Sequence, residues 1–229
     1  MPDSLRSSVP RTEVSLGALR AGARRAVEAG GRVADLRGDA WGHGLLPVGR
    51  EMVASGAASL LVDEDDLARC TAAGLPAQVD GEADLDPLLL YGLPGSGGLP
   101  AMRLYGTVMS TKRLRAGDAV SYGYTHRAEA DTTVALVTGG YAQGIVRALG
   151  NRGHVEIGDR LRPIVGRVAM DVCVADLGGE DVESGSEATY FGGAGPAREL
   201  LGTWTAATGL TTGELIAVVG AKTERRWTE

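Results

Sequence analysis

The sequence predicts an α/β segment of alternating strands and helices, followed by an all-β C-terminal domain. Three observations predict this. Over residues 15–75, stretches with helical apolar spacing alternate with short apolar runs ended by glycine, the pattern of βα units. From about residue 75 Gly, Pro and Asp become dense, and Gly95-Ser-Gly-Gly-Leu-Pro100 reads as a loop or linker. Beyond it, short runs are separated by Gly or Asp, as in a compact β domain.

The elements follow in order. Ser15 is placed to cap a helix whose apolar side carries Leu16, Leu19, Ala23 and Val27, and Gly30-Gly31 ends it. Val33-Ala34-Asp35-Leu36 reads as a short strand and residues 38–44 as a glycine-rich turn. A second helix over residues 47–55 leads into Ser59-Leu-Leu-Val62, an apolar run suited to a buried parallel strand. Asp63-Glu64-Asp65-Asp66 reads as the first turn of a third helix, where carboxylates complement the helix dipole, rather than as an acidic binding patch. The predicted β runs are residues 102–110, 118–124, 132–137, 154–157 and 165–176. Two short helices follow, near residues 196–207 and 212–219.

Composition narrows the function classes. The chain has 229 residues, 44% of them hydrophobic, and 23 Lys+Arg against 29 Asp+Glu for a net charge of −6. This is globular rather than disordered, and no apolar run reaches the ~18 residues of a membrane span. An acidic balance gives no support to a nucleic-acid-binding surface. Cys70 and Cys173 are too few for a disulfide framework and suit a reduced, cytoplasmic setting, and Met1-Pro-Asp-Ser-Leu-Arg has no apolar stretch of signal-peptide type. Of the 23 basic residues only two are lysines, Lys112 and Lys222.

Four motifs occur in a fixed order. They are Asp39-Ala-Trp-Gly-His-Gly44, Gly117-Asp-Ala-Val-Ser-Tyr-Gly123, Gly140-Tyr-Ala-Gln-Gly144 with Arg147, and Pro163-Ile-Val-Gly-Arg-Val-Ala-Met-Asp171. In this order they resemble alanine racemase, whose fold is a TIM-like barrel followed by a β-barrel-like domain. The resemblance divides the chain into residues 1–95, a partial barrel domain, and residues 96–229, the C-terminal β domain. It also implies pyridoxal phosphate as cofactor, no metal, a small amino acid as ligand, and the interconversion of L- and D-alanine. In the family a lysine holds the cofactor through a Schiff base and acts as one base. A tyrosine from the other subunit acts as the second base, and it corresponds to Tyr122. Met170 corresponds to the residue whose backbone meets the substrate carboxylate, and Tyr141 lines the same entrance, with Gln143 where the family usually has Asp. Trp41 and His43 stand at cofactor-side positions. Residue type alone supports plainer readings: a core tyrosine for Tyr122, a gap-filler for Met170, an interface aromatic for Tyr141 and a hydrogen-bonded turn residue for His43.

Two departures set this sequence apart. The position of the Schiff-base lysine is Arg37, which stays protonated and offers no free amine. Arg37 is instead placed to pair with Asp35, Asp39 or a bound anion. Trp41 replaces a tyrosine that reaches the cofactor phosphate. The second departure is length: a closed (β/α)₈ barrel takes about 250 residues, whereas only about 95 precede the β domain. The segment Leu88-Leu-Leu-Tyr-Gly92, which resembles the last barrel strand, follows almost directly on the second βα unit. The reading is an incomplete barrel with open sheet edges, for which a partner subunit is the simplest cover. It follows that the chain is a catalytically silent racemase homologue and a homodimer or heterodimer. The alternatives are a partner that supplies Tyr122 in trans to a full-length racemase, and a residual amino-acid racemase.

Overall fold

The computed structural model of the chain describes residues 9–121 and 123–229. Tyr122 and the opening residues 1–8 lie outside the described residues. The elements are β1 (Arg11–Ser15), α1 (Leu16–Glu28), β2 (Val33–Asp35), the helical turn α2 (Arg37–Trp41), α3 (Leu45–Ala54), β3 (Ser59–Leu61), α4 (Glu64–Ala72), β4 (Ala77–Gln78) and α5 (Pro87–Tyr91). Then come β5 (Met102–Leu114), β6 (Ala119–Val120), β7 (His126–Arg127), β8 (Thr132–Thr138), β9 (His154–Ile157), β10 (Arg160–Pro163), β11 (Val172–Asp176) and β12 (Glu187–Phe191). They are followed by α6 (Leu200–Thr208), α7 (Thr212–Lys222) and β13 (Glu224–Thr228). Two compact units result. An α/β unit takes residues 13–102, 212–221 and 225–229, and a β unit takes residues 9–12, the described residues of 103–211, and 222–224.

In the α/β unit, β2, β3 and β4 form a parallel sheet with Val33 opposite Ser59, Asp35 opposite Leu61, and Leu61 opposite Gln78. Ser15 caps α1 by accepting the Ala18 N–H at 3.1 Å, and the helix buries Leu19, Gly22, Ala23 and Ala26. Helix α3 packs closely on the sheet, where Gly49 faces the side chains of Leu60, Leu75 and Leu36. The opposite sheet face, which a closed barrel would fill with apolar layers, carries the half-buried Val33, Asp35, Ser59 and Gln78 around a buried Leu61. On it the Ser59 hydroxyl donates to the Gln78 side-chain oxygen at 2.8 Å. Three parallel strands make a partial barrel.

The open edge of β2 is covered by the chain itself rather than by a partner. The Asp84 carboxylate accepts the N–H groups of Arg32 and Val33, each at 2.6 Å. The Val33 carbonyl accepts from the N–H groups of Asp84 and Leu85 at 3.1 and 3.0 Å. The segment expected to be the last barrel strand is also different: Pro87–Tyr91 is a helical turn. Asp86 caps it by accepting the Leu88 N–H at 2.8 Å, and Pro87 at its first position favours helical φ and cannot donate to a strand ladder.

In the β unit, β8 pairs antiparallel with β11 and with β5, where the register shifts between Val108 and Ser110. Strand β5 also pairs with β12, β12 with β9, and β9 with β10. One core cluster gathers Leu114, Ala128, Val134, Val165 and Val174, and elsewhere Phe191 meets Trp204 edge-on at 5.2 Å. Two predicted runs shrink. Residues 118–124 keep only the two-residue β6, because Ser121 and Tyr124 take positive φ. Residues 165–176 keep only Val172–Asp176. Strands β1, β4, β7, β10, β12 and β13 were not anticipated; in β10 and β13 charged residues interrupt the apolar alternation.

Among the described residues no helix is long and apolar enough to cross a membrane, and no group of three or more His, Cys, Asp or Glu could hold a metal ion. Both cysteines are free and buried.

Helix α1 approaches α5 so closely that a Cβ on Gly22 would lie 2.3 Å from the Leu90 carbonyl oxygen and 2.5 Å from that of Leu89. Gly22→Ala should therefore destabilise the unit by about 1–3 kcal/mol, despite the ~1 kcal/mol that alanine gains over glycine inside a helix. Urea unfolding checks this: an unchanged or raised midpoint would contradict the close approach.

Candidate functional site

The carboxyl ends of parallel strands are where α/β sheets place their ligand sites, and here the chain leaves β2 into a left-handed turn. Gly38, Asp39 and Ala40 have φ, ψ of 62°, 43°; 58°, 46°; and 55°, 53°, and Trp41 and Gly42 continue with φ of 52° and 79°. For an L-residue that conformation costs about 1–2 kcal/mol each, so the surroundings must impose it. Asp39 accepts the Leu45 N–H at 2.8 Å with one oxygen and pairs with Arg225 at 2.5 Å through the other. Arg225 also donates to the Gly42 carbonyl at 2.7 Å, and the Trp227 indole N–H donates to the His43 carbonyl at 2.9 Å. Helix α7 lies against the turn, with Gly220 so close to Gly42 that a Cβ would stand 2.1 Å from its carbonyl oxygen.

Arg37 opens this turn and is paired with Asp35. Its Nε and Nη2 donate to the two oxygens of Asp35 at 2.9 and 2.7 Å, and its backbone N–H donates to the same carboxylate at 3.1 Å. That hydrogen bond and the charge of Asp35 raise the Arg37 guanidinium above its ordinary pKa. Burial opposes ionisation of Asp35, yet the hydrogen bonds and charge of Arg37 outweigh it and hold the carboxyl below its usual value. Asp63, from the end of β3, accepts the Gly38 N–H at 2.7 Å and adds a second carboxylate beside Arg37.

Behind the turn stands an aromatic stack. Tyr91 lies 4.4 Å from the His43 ring and 5.4 Å from the half-buried Trp41 ring, with interplanar angles of 21° and 26°. His43 is fully buried: its Nδ1–H donates to the Ala40 carbonyl at 3.0 Å, and Nε2 has no partner among the described residues. Burial lowers its pKa to about 4, so it is neutral near pH 7. Burial and the nearby Asp35 push the Tyr91 phenol well above its ordinary value.

The other candidates lie in the β unit. Gly140–Gly144 grips the Arg167–Asp171 loop: the Tyr141 N–H donates to the Ala169 carbonyl and the Ala142 N–H to that of Met170, both at 3.0 Å. Gln143 ties its own turn to Asp171, accepting the Gly140 N–H at 3.0 Å and donating to the Asp171 carboxylate at 3.1 Å. Tyr141 and Met170 thus share one rim, 41% and 54% exposed, with the Arg147 guanidinium 5.5 Å from the Tyr141 ring centre. At that exposure Met170 does not fill a core. Ser121, next to Tyr122, exchanges two 2.9 Å hydrogen bonds with the backbone of Arg167. The structure therefore brings Arg37, Trp41 and His43 together in one unit and Tyr141 and Met170 together in the other. Tyr91, Asp63, Arg225 and Trp227 were not singled out from sequence. The first has only its place at the end of an apolar run as a signal, and the last two come from the far end of the chain.

These residues do not fit pyridoxal phosphate. Arg37 offers no amine, and its charge is already neutralised by Asp35. Lys112 sits mid-strand in β5 opposite Val134, and Lys222 is the last residue of α7, so neither stands at the end of β2. Asp35, Asp39 and Asp63 set three carboxylates around the turn against the two cations Arg37 and Arg225, which repels rather than holds a phosphate.

The model of the alanine racemase C-terminal domain matches residues 101–227, more than half of the chain. The chain is 52% identical over 95 residues to alanine racemase of Mycolicibacterium vanbaalenii, covering 41% of this chain and 24% of that protein. It is 35% identical over 164 residues to that of Thermobifida fusca, covering 68% and 44%. The chain thus spans less than half the length of these curated relatives. In structure it is similar to alanine racemase from Streptomyces lavendulae, with a TM-score of 0.84 at 20% identity over 97% of this chain and 98% of that chain. It is also similar to that of Bartonella henselae with covalently bound pyridoxal phosphate, with a TM-score of 0.73 at 15% identity over 96% and 99%.

The buried neutral His43 sets a pH dependence. Its folded pKa lies below the unfolded value, so its contribution is complete above about pH 6.5 and is lost as pH falls toward 4. Folding stability should drop by roughly 3 kcal/mol over that window through this residue. Denaturant titrations at pH 7 and pH 4.5 check this, and His43→Gln should flatten the difference.

Proposed function

Since the chain belongs to the alanine racemase family, we propose that it is a catalytically silent member, descended from an enzyme that interconverts L- and D-alanine. The observation that carries this reading is Arg37, bidentate on Asp35 where the Schiff-base lysine would stand. Racemisation removes a proton from carbon and needs an electron sink attached to the protein. A guanidinium cannot attach one, and the three-stranded sheet supplies too little barrel wall to enclose it. The purified chain mixed with pyridoxal phosphate and reduced with borohydride should carry no adduct on a side-chain amine. An adduct on Lys112 or Lys222, or D-alanine formation abolished by Tyr122→Phe, would overturn the reading.

What remains for the chain to do is associate. The exposure of Tyr141 and Met170 beside Arg147 favours the β unit as an interface, in a homodimer or with a racemase-like subunit. The free, buried Cys70 and Cys173 suit a reducing, cytoplasmic setting. Sedimentation of Tyr141→Ala/Met170→Ala against the unsubstituted chain tests the interface, and the association constant should fall at least about tenfold. Equal association, or none at micromolar concentration in either form, would remove this role.

A further inference from the structure

We infer that Asp35 is a second lock on the former cofactor position: its carboxylate grips whatever basic side chain stands at residue 37, so restoring a lysine there does not by itself restore a reactive amine. This rests on the silent reading above and deepens it, since the lock acts through Asp35 and not through the identity of residue 37 alone.

The geometry is local and complete. Asp35 and Arg37 are two residues apart at the end of β2, and the carboxylate takes three hydrogen bonds from Arg37: two from the guanidinium and one from the backbone N–H. Its side chain is only 21% exposed, against 54% for that of Arg37, so the anion is the fixed member of the pair. From behind, the Tyr91 hydroxyl approaches the Asp35 carbonyl at 3.4 Å. The other charged group facing residue 37 is Asp63, whose carboxylate is held by the Gly38 N–H.

A lysine in the Arg37 rotamer places its Nζ where the guanidinium carbon now lies, between the two Asp35 oxygens. There it is held as the ammonium. Imine formation needs the amine: the nitrogen lone pair attacks the aldehyde carbon, a C–N bond forms, and the carbonyl oxygen leaves as water. An ammonium has no lone pair to give, and each unit by which the ion pair raises the lysine pKa removes about tenfold of the free amine.

The experiment compares Arg37→Lys with Arg37→Lys/Asp35→Asn and, as a control for lost negative charge, Arg37→Lys/Asp63→Asn. Each folded variant is incubated with pyridoxal phosphate over a range of pH, reduced with borohydride and mapped by peptide mass. With only Lys112 and Lys222 elsewhere, an adduct at residue 37 is unambiguous. The Asp35→Asn double variant should label residue 37 at about tenfold lower cofactor concentration, with a labelling midpoint about one pH unit lower. The Asp63→Asn variant, which also removes a carboxylate that repels the phosphate, should keep the labelling midpoint of Arg37→Lys. Equal labelling of Arg37→Lys and the Asp35→Asn double variant would overturn the lock. So would an equal shift of the labelling midpoint by Asp63→Asn, or no adduct at residue 37 in a folded Asp35→Asn double variant; Asp35→Ser serves if the asparagine form does not fold. The unsubstituted chain has no amine at residue 37, so this proposal and the silent reading are tested on different molecules and fail separately.

Discussion

The α/β unit depends on holding Gly38–Gly42 in a left-handed turn. Two of its five residues are glycines, which take that conformation freely; Asp39, Ala40 and Trp41 do not. The opposing forces come from three directions. Asp39 is bound on both sides, by the Leu45 N–H and by Arg225. Arg225 and Trp227 grip the carbonyls of Gly42 and His43, and Tyr91 stacks on the rings that flank the turn. Strain of this kind persists only where the surroundings over-determine it, and it is concentrated at functional sites. Here the turn presents position 37 at the end of β2, and Arg37 is folded back onto Asp35.

The same unit shows how a partial barrel can stand without its missing strands. In a closed barrel each strand satisfies its neighbours and the interior is packed with branched apolar residues. With three strands left, both the edges and the inner face need another solution. At β2 the edge is closed by backbone and side-chain acceptors of the Asp84–Leu85 segment. On the inner face Asp35, Ser59 and Gln78 stand beside Val33 and the buried Leu61, and the Ser59 hydroxyl is satisfied by Gln78. A partner is therefore not required at that edge, and the argument for association rests on the β-unit rim instead.

Much of this was legible in the sequence. The α/β-then-β order, the cap at Ser15, the acidic first turn of α4 and the central β runs follow from periodicity and capping chemistry, which act over a few residues. What escaped was set by distance or by mixed polarity. Strands β10 and β13 carry charges within their span, as in Arg160-Leu-Arg162 and Glu224-Arg-Arg226, so alternation is faint. Leu88-Leu-Leu-Tyr91 has the apolar character of a strand, but Asp86 and Pro87 in front of it dictate a helical turn. For the site, Arg37, Trp41 and His43 were visible because they are neighbours in one motif. The clamp from Arg225 and Trp227 lies more than 180 residues away from the carbonyls it holds, and no local pattern marks it.

Charge decides what the turn can still receive. A helix start or a glycine turn at the end of a parallel strand ordinarily welcomes an anion, because its N–H groups are free and its dipoles point outward. Here those donors are already taken: the Gly38 N–H by Asp63, the Leu45 N–H by Asp39, and the Arg37 N–H by Asp35. Each acceptor is a carboxylate of the chain itself. An incoming phosphate would have to displace an intramolecular anion at every one of these positions, and would gain at each only the contact it broke. At this turn the chain supplies its own anions to the N–H groups that an incoming anion would need.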